Sequence, residues 1–525
     1  EYFEPFEKIG STDQNGTTNS DRTNYFQNVP TNALDLALWM ESDRMGHLLG
    51  VVDQEKLDEQ RGVVQNEKRQ GENQPYGKAF TRIAESAFPE GHPYSWSVIG
   101  SMEDLDAASL EDVQEWFKTY YGPNNAVLAL AGDIDLETAK EKVNKFFGDI
   151  PAGPPLVKPD IWIAKRSEEK RDIMFDNVPQ ARIYKAWNVP QRDTEAAAHF
   201  DIASSVLVGG KNSPLYKELV YEKQIATSVS AFYYDREIAG MFFVVADVVA
   251  GEDPKKVEKA MDDVLESFIK RGPDVKLLKA EKTKALAGFI RGIQRIGGFG
   301  GKSDLLATCQ TYTGNPGCYK KSAEFLDLAT PANIKKTFAQ WIDDTPYVLT
   351  ILPIEKLSAN QNSVDRSQGI PYPTEKVSFK FPSLQTATLS NGARVVLAER
   401  KNVPLVEMNF QFNFGYAQEN IDQLGYTNFM MDMLNEGTKK YTSLEFDEIL
   451  DSMGSNIGFG SDLDTSFVSL SSLKSNLGKT LDLAKEAIMH PSFPESEIAR
   501  IKKQTLAAFT RDEFRPSSIA FRNIG

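Results

Sequence analysis

The order of local features near the start of this chain recurs close to its end, and a repeat on that scale constrains the fold more than any single segment does. Tyr2–Ser11 (YFEPFEKIGS) and Phe446–Ser455 (FDEILDSMGS) each read as a short amphipathic helix closed by a glycine, Gly10 or Gly454. Polar, Thr/Ser-rich segments of strand character follow in both, at 17–25 (TTNSDRTNY) and 461–469 (SDLDTSFVS). Each copy then carries the tetrapeptide LDLA, at 34–37 and 481–484, opening a helix. A charged helix and a proline, Pro75 or Pro516, complete the series. One such match would carry little weight; several in the same order predict two homologous units.

The second copy is preceded by material that the first lacks. Two apolar runs within 384–399 flank Ser390-Asn391-Gly392 and predict a hairpin. Residues 403–413 alternate as a strand, and Gly425–Leu434 (GYTNFMMDML) reads as a helix. If the copies are equivalent, roughly 65 further residues are expected before Glu1. Between the copies, the breaker-rich 150–155 (IPAGPP) leads into a different unit. Its strands are expected near 171–175, 182–188, 227–234 and 240–249, and its helices at 195–208 and 253–269. Without regular strand–helix–strand alternation, the class is α+β with largely antiparallel sheets. The expected division is 1–152, 166–355 and 383–525, with the polar stretch 356–382 as a linker.

Composition narrows the function. Seventy-four acidic residues against 59 basic ones give a net charge of −15, which argues against a general nucleic-acid binder. The richest apolar stretch, 240–250, is too short to span a bilayer and contains Asp247. Cys309 and Cys318 flank a Gly-Asn-Pro-Gly turn; they stand either as free thiols or as a local disulfide, which would need an oxidising compartment. The four histidines (His47, His92, His199 and His490) are not spaced as H-x-x-E-H or H-E-x-x-H. The Gly-rich 296–303 (IGGFGGKS) lacks phosphate-loop spacing and reads as a loop.

Residues 53–70 (DQEKLDEQRGVVQNEKRQ) predict a helix capped by Asp53. Spacings of three, four and three place Leu57, Gln60, Val64 and Glu67 on one face, with Gln60 and Glu67 nearly two turns apart. A carboxylate on a partly apolar face needs a cation, hydrogen-bond donors or a metal. The plainer alternative is a surface glutamate paired with Lys68 or a neighbouring helix.

The run 61–69 (RGVVQNEKR) resembles the distal glutamate segment of the pitrilysin (insulinase) family of zinc metallopeptidases. Residues 15–25 (NGTTNSDRTNY) resemble that family's substrate-side strand, and 121–126 (YGPNNA) with Gly132-Asp133 resemble the last strand of its N-terminal domain. The resemblance implies repeated α+β domains, each a mostly antiparallel sheet packed against helices, in two homologous halves around a chamber. In that family an H-x-x-E-H helix supplies two histidine ligands and a general-base glutamate, and a distant glutamate completes a zinc site with an open fourth position. By resemblance Glu67 is that distant ligand, facing inward toward the ion. Gln60 stands beside it where many members carry a second glutamate. Asn15, Gly16 and Thr17 form the edge to which a peptide adds as a β-strand.

No catalytic base lies in these residues; the resemblance puts the H-x-x-E-H helix upstream of Glu1. In the equivalent second-copy helix, Asn428, Met431 and Asp432 stand where His, Glu and His would, and the counterpart of Glu67 falls at or near Ala508. The second half therefore reads as a non-catalytic partner. A substrate-contacting Arg/Tyr pair of the family is matched in the middle unit by Val220 and Thr227. The expected function is zinc-dependent endopeptidase acting on peptides or small unfolded proteins. Zn2+ is its cofactor and a peptide its partner, with no nucleic acid, no membrane span, and self-association left open. The periplasm is the expected compartment, with the cytoplasm as alternative. The rival reading is a non-catalytic peptide-binding or assembly subunit of the same fold.

Overall fold

A computed structural model describes residues 2–342, 345–354, 384–399, 404–515 and 517–520. The expected linker at 356–382 and Pro516 lie outside them. At the start, helix Glu4–Lys8 ends at Gly10, whose φ of 76° is the left-handed conformation that glycine accepts without strain. Strands β1 (Thr12–Thr18) and β2 (Thr23–Asn28) then form an antiparallel pair, followed by helices Leu34–Gly46 and Gln54–Glu72. Asp53 caps the latter by accepting the Lys56 N–H at 2.9 Å.

The middle of the chain builds the largest sheet from β3 (Lys170–Asp176), β4 (Arg182–Val189), β5 (Ala226–Tyr234), β6 (Gly240–Val248) and β7 (Tyr347–Pro353). Its order is β3-β7-β4-β6-β5, antiparallel except for the β3/β7 pair. β6 is buried along its whole length, and its side chains alternate between two cores as a strand's period of two requires. Phe242, Val244 and Ala246 join a core with Phe200, Leu265 and Phe338 from helices Glu195–Val208, Pro254–Arg271 and Pro331–Trp341. Met241, Phe243 and Val245 face the other way, onto Tyr76, Ile83 and Tyr94. The first unit therefore closes the second face of the middle sheet through helix Ala79–Ala87 and its flanks.

Near the end, β8 (Gln385–Thr388) and β9 (Arg394–Leu397) form an exposed hairpin that turns at Gly392, φ 87°. Strands β10 (Leu405–Phe412), β11 (Asn456–Ser461) and β12 (Ser466–Leu473) make an antiparallel sheet in the order β10-β12-β11. Helix Ser443–Met453 closes at Gly454 (φ 59°), then comes the β11/β12 hairpin, then helices Leu477–Met489 and Glu495–Asp512. This is the helix–hairpin–helix–helix order of the first unit. The copies share one further mark that the sequence reading missed: His47 and His490 are the C-cap residues of the two equivalent helices, each 13 residues long.

One expected strand is not formed. After the turn Pro123–Asn125, Ala126 is extended, but 126–131 lies in no ladder. A strand is made by a neighbour's hydrogen bonds, and among the described residues the first hairpin has no third strand to match β10.

Candidate functional site

Helix Gln54–Glu72 forms where expected, but its inward face is turned from the one expected. Lys68 is its most buried residue, 8% exposed, and Leu57, Arg61 and Val64 are half-buried along the same ridge. Arg61 donates from Nε to the Leu105 carbonyl (2.8 Å) and from Nη2 to that of Ala108 (2.6 Å), and Gln65 bonds Asp106, docking the helix on Met102–Ala107. Gln60 and Glu67 lie about 70° and about 90° from the ridge centre and are exposed. The physical reason is that Lys and Arg bury their aliphatic stems while their heads find partners, so long polar residues occupied the face assigned to Glu67. The surface pairing of Glu67 with Lys68 is not formed either, since Lys68 Nζ pairs with Glu72 at 2.8 Å. Among the described residues the Glu67 carboxylate has no hydrogen-bond or ion-pair partner.

The histidines do not gather around it. His92 is fully buried: its Nδ1 accepts the Tyr94 N–H (3.0 Å), which fixes the neutral ring with Nε2–H donating to the Trp162 carbonyl (2.8 Å). His199 is buried against Thr337 Oγ1 (2.7 Å), and burial pushes both imidazoles' pKa down. His47 and His490 are exposed. Among the described residues no three His, Cys, Asp or Glu side chains converge as a metal site. These residues alone therefore do not fit a zinc ion; Glu67 is one carboxylate without a second ligand.

Asn15, Gly16 and Thr17 all lie on β1, whose outer edge is unpaired among the described residues. A Cβ on Gly16 would stand 3.0 Å from the Tyr25 ring, so a larger residue here would have to displace that exposed ring. The Gly16 N–H is taken by Asn15 Oδ1 at 2.8 Å, and Thr17 Oγ1 accepts from Arg22 at 2.6 Å. The Gly-rich loop docks beside this hairpin: Phe299 packs edge-on against Phe26 at 4.7 Å, and Asp304 Oδ2 accepts the Gly300 N–H at 2.9 Å.

The counterpart position in the second copy is a cavity of about 560 Å3. Ala508 stands as far into helix Glu495–Asp512 as Glu67 does into its own helix, and it lines this cavity with Met431 and Asp432. Asn428 is not part of the lining. Gln180, Tyr216, Thr227 and Ser228 of the middle unit close the opposite wall, whereas Val220 is buried in the middle core. Partial desolvation by the cavity wall, with the neighbouring Glu436 charge, pushes the Asp432 carboxyl up.

Two homologous mixed units flanking a sheet-and-helix middle define a duplicated peptidase-type architecture, and comparison with known proteins gives its family. Residues 107–285 match the Peptidase M16 inactive domain, and residues 394–524 match Insulinase (Peptidase family M16). The chain belongs to this pitrilysin (insulinase) family. It is 24% identical to the zinc protease PqqE of Helicobacter pylori over 63% of this chain and 74% of that protein. It is 25% identical to the mitochondrial presequence protease of Mus musculus over 69% of this chain and 39% of that one. In fold it is similar to a protease from Helicobacter pylori (TM-score 0.60, 22% identity, 68% of this chain and 85% of that chain). It is also similar to the periplasmic protease PqqL of Escherichia coli (TM-score 0.52, 15% identity, 98% of this chain and 61% of that chain). The relatives' zinc-protease names agree with the class of chemistry the resemblance implies, and no helix among the described residues is long and apolar enough to cross a membrane.

Proposed function

We propose that the protein is a zinc-dependent endopeptidase that takes peptides or small unfolded proteins as an added β-strand. In this reading residues 1–152, 166–355 and 383–525 are its successive domains, with the two histidines and the base supplied from outside these 525 residues. The observation that supports it best is the contrast between the duplicated positions. Glu67 presents a carboxylate with no partner on an exposed helix face, and its counterpart is Ala508. Within the chain, Glu67 would hold the metal, Gln60 would steady it by hydrogen bonding, and the β1 edge would align the substrate backbone once Asn15 swings off the Gly16 N–H. Zinc content measured on the protein and on Glu67→Gln tests this: the variant should lose most of its tightly held zinc. Equal tight binding by both would remove Glu67 from the ligand set.

A second reading, a non-catalytic peptide-binding subunit, is favoured by the match of 107–285 to an inactive domain type. The sequence encoded before Glu1 discriminates: H-x-x-E-H there supports the enzyme, and its absence supports the subunit. Residence in the periplasm is supported by the Cys309–Cys318 disulfide, which joins helices Lys302–Thr313 and Cys318–Leu328 across Gly314. Alkylation before reduction should find both thiols blocked in protein taken from cells; free thiols there would favour the cytoplasm.

A further inference from the structure

We propose that the metal-free counterpart position is itself a binding site, for the C-terminal carboxylate of a short peptide. The proposal rests on the peptide-handling reading above but not on zinc. The cavity's size, about 560 Å3, is that of a small-ligand pocket, and it is walled by both halves of the chain. Arg511 lines it with a buried Nε that has no acceptor among the described residues. One buried N–H without an acceptor is costly, and the planar guanidinium that carries it matches a carboxylate in two parallel hydrogen bonds.

The acids in the lining do not meet that need. Glu436 is consumed by Lys211 Nζ (2.8 Å), Arg500 Nη2 (2.5 Å) and Ser443 Oγ (2.8 Å). Asp432 is exposed and makes no ion pair with Arg511. The cavity thus holds a cation and an acid, each free for a ligand, with Phe459 and Ile501 between polar walls. A peptide end answers this pattern: its carboxylate meets Arg511, its apolar side chains the Phe459 wall, and an ammonium or basic side chain meets Asp432. The small Ala508 side chain leaves the room that the peptide would occupy.

Calorimetric titration of the protein in chelator, which suppresses hydrolysis, with the tetrapeptide Ala-Leu-Lys-Leu as free acid and as C-terminal amide tests the site. The acid should bind at least tenfold more tightly than the amide. Arg511→Gln should remove that preference while leaving the amide's affinity unchanged. Ala508→Phe, which fills the cavity, should weaken both, and unchanged thermal melts of the two variants would establish that they fold. Equal affinity for acid and amide, no binding of either at millimolar concentration, or an unaltered preference in Arg511→Gln would overturn the proposal. Competition by inorganic phosphate as strong as by the peptide would overturn the peptide assignment in favour of a plain anion site. Glu67→Gln should leave the titration unchanged, so failure of the zinc reading and failure of this one show in different experiments.

Discussion

Glu436 is 4% exposed, yet it belongs to the second copy and takes a hydrogen bond from Lys211 of the middle unit. Burial raises its pKa, but the charges of Lys211 and Arg500 and the hydrogen bonds of Lys211 and Ser443 outweigh that, holding the carboxyl below its ordinary value of 4.5. A lowered folded-state pKa means this stabilisation is present above pH 4.5 and is lost as pH falls through the folded value. Glu436→Gln leaves Lys211 without its carboxylate and Arg500, itself 4% exposed, with Glu497 alone, and should cost about 3–5 kcal/mol. A urea melt should show that loss at pH 7 and a flatter acid limb; an unchanged midpoint would mean the network is not closed in solution. Residues of this kind mark the limit of sequence reading. Glu67 was found on its helix because Asp53 and the apolar spacing define that helix. The buried ridge beside it was not legible, because Lys68, a charged residue, holds it.

At the level of elements, spacing and turn chemistry carried far. Glu195–Val208 is the helix expected, β8 and β9 flank the Asn-Gly turn, and β4 to β6 lie within two residues of their expected bounds, because each buries apolar side chains at its own period. The segment 126–131 shows the converse, since its apolar residues cannot report whether a pairing partner exists. The two helix-terminal glycines permit a finer test. Gly10 and Gly454 share the left-handed conformation, but a Cβ on Gly10 meets nothing within 4 Å, whereas on Gly454 it would press Thr283 Cγ2 at 3.2 Å and Ala287 Cβ at 3.4 Å. Gly10→Ala should therefore cost only the backbone term, about 1–2 kcal/mol. Gly454→Ala should cost more, because helix Val275–Gly292 must shift as well. Equal losses in denaturation would show that the two helices do not pack tightly at this point.

Across the whole molecule, the middle unit and the second copy meet through polar groups far apart in sequence, which is why no local pattern announced the seam. Asn212 Nδ2 donates to the Leu444 carbonyl (2.8 Å), Arg291 donates to Ser471 Oγ and to the Gly454 carbonyl (both 3.0 Å), and Lys284 pairs with Asp451. Asp451 sits in an acidic neighbourhood: burial pushes its pKa up to about 6, Lys284 opposes the rise, and Asp447 and Glu281 add to it. For a carboxyl raised in the folded state, the contribution is full below the ordinary 3.8 and is lost as pH climbs through about 6. Glu436 has the opposite sign, weakening the seam as pH drops below 4.5. The Asp451 contribution falls from 3.8 upward and that of Glu436 from 4.5 downward, so the seam should be tightest where these edges meet, between pH 3.8 and 4.5, and looser at pH 7. Hydrogen exchange in helices Ser443–Met453 and Val275–Gly292, followed from about pH 3 to 7 and corrected for intrinsic rates, should show protection peaking in that window. Asp451→Asn, which cannot ionise, should remove the decline on the upper side while keeping the decline on the acid side. If the variant keeps the same upper slope, the pH response of this interface belongs to other groups.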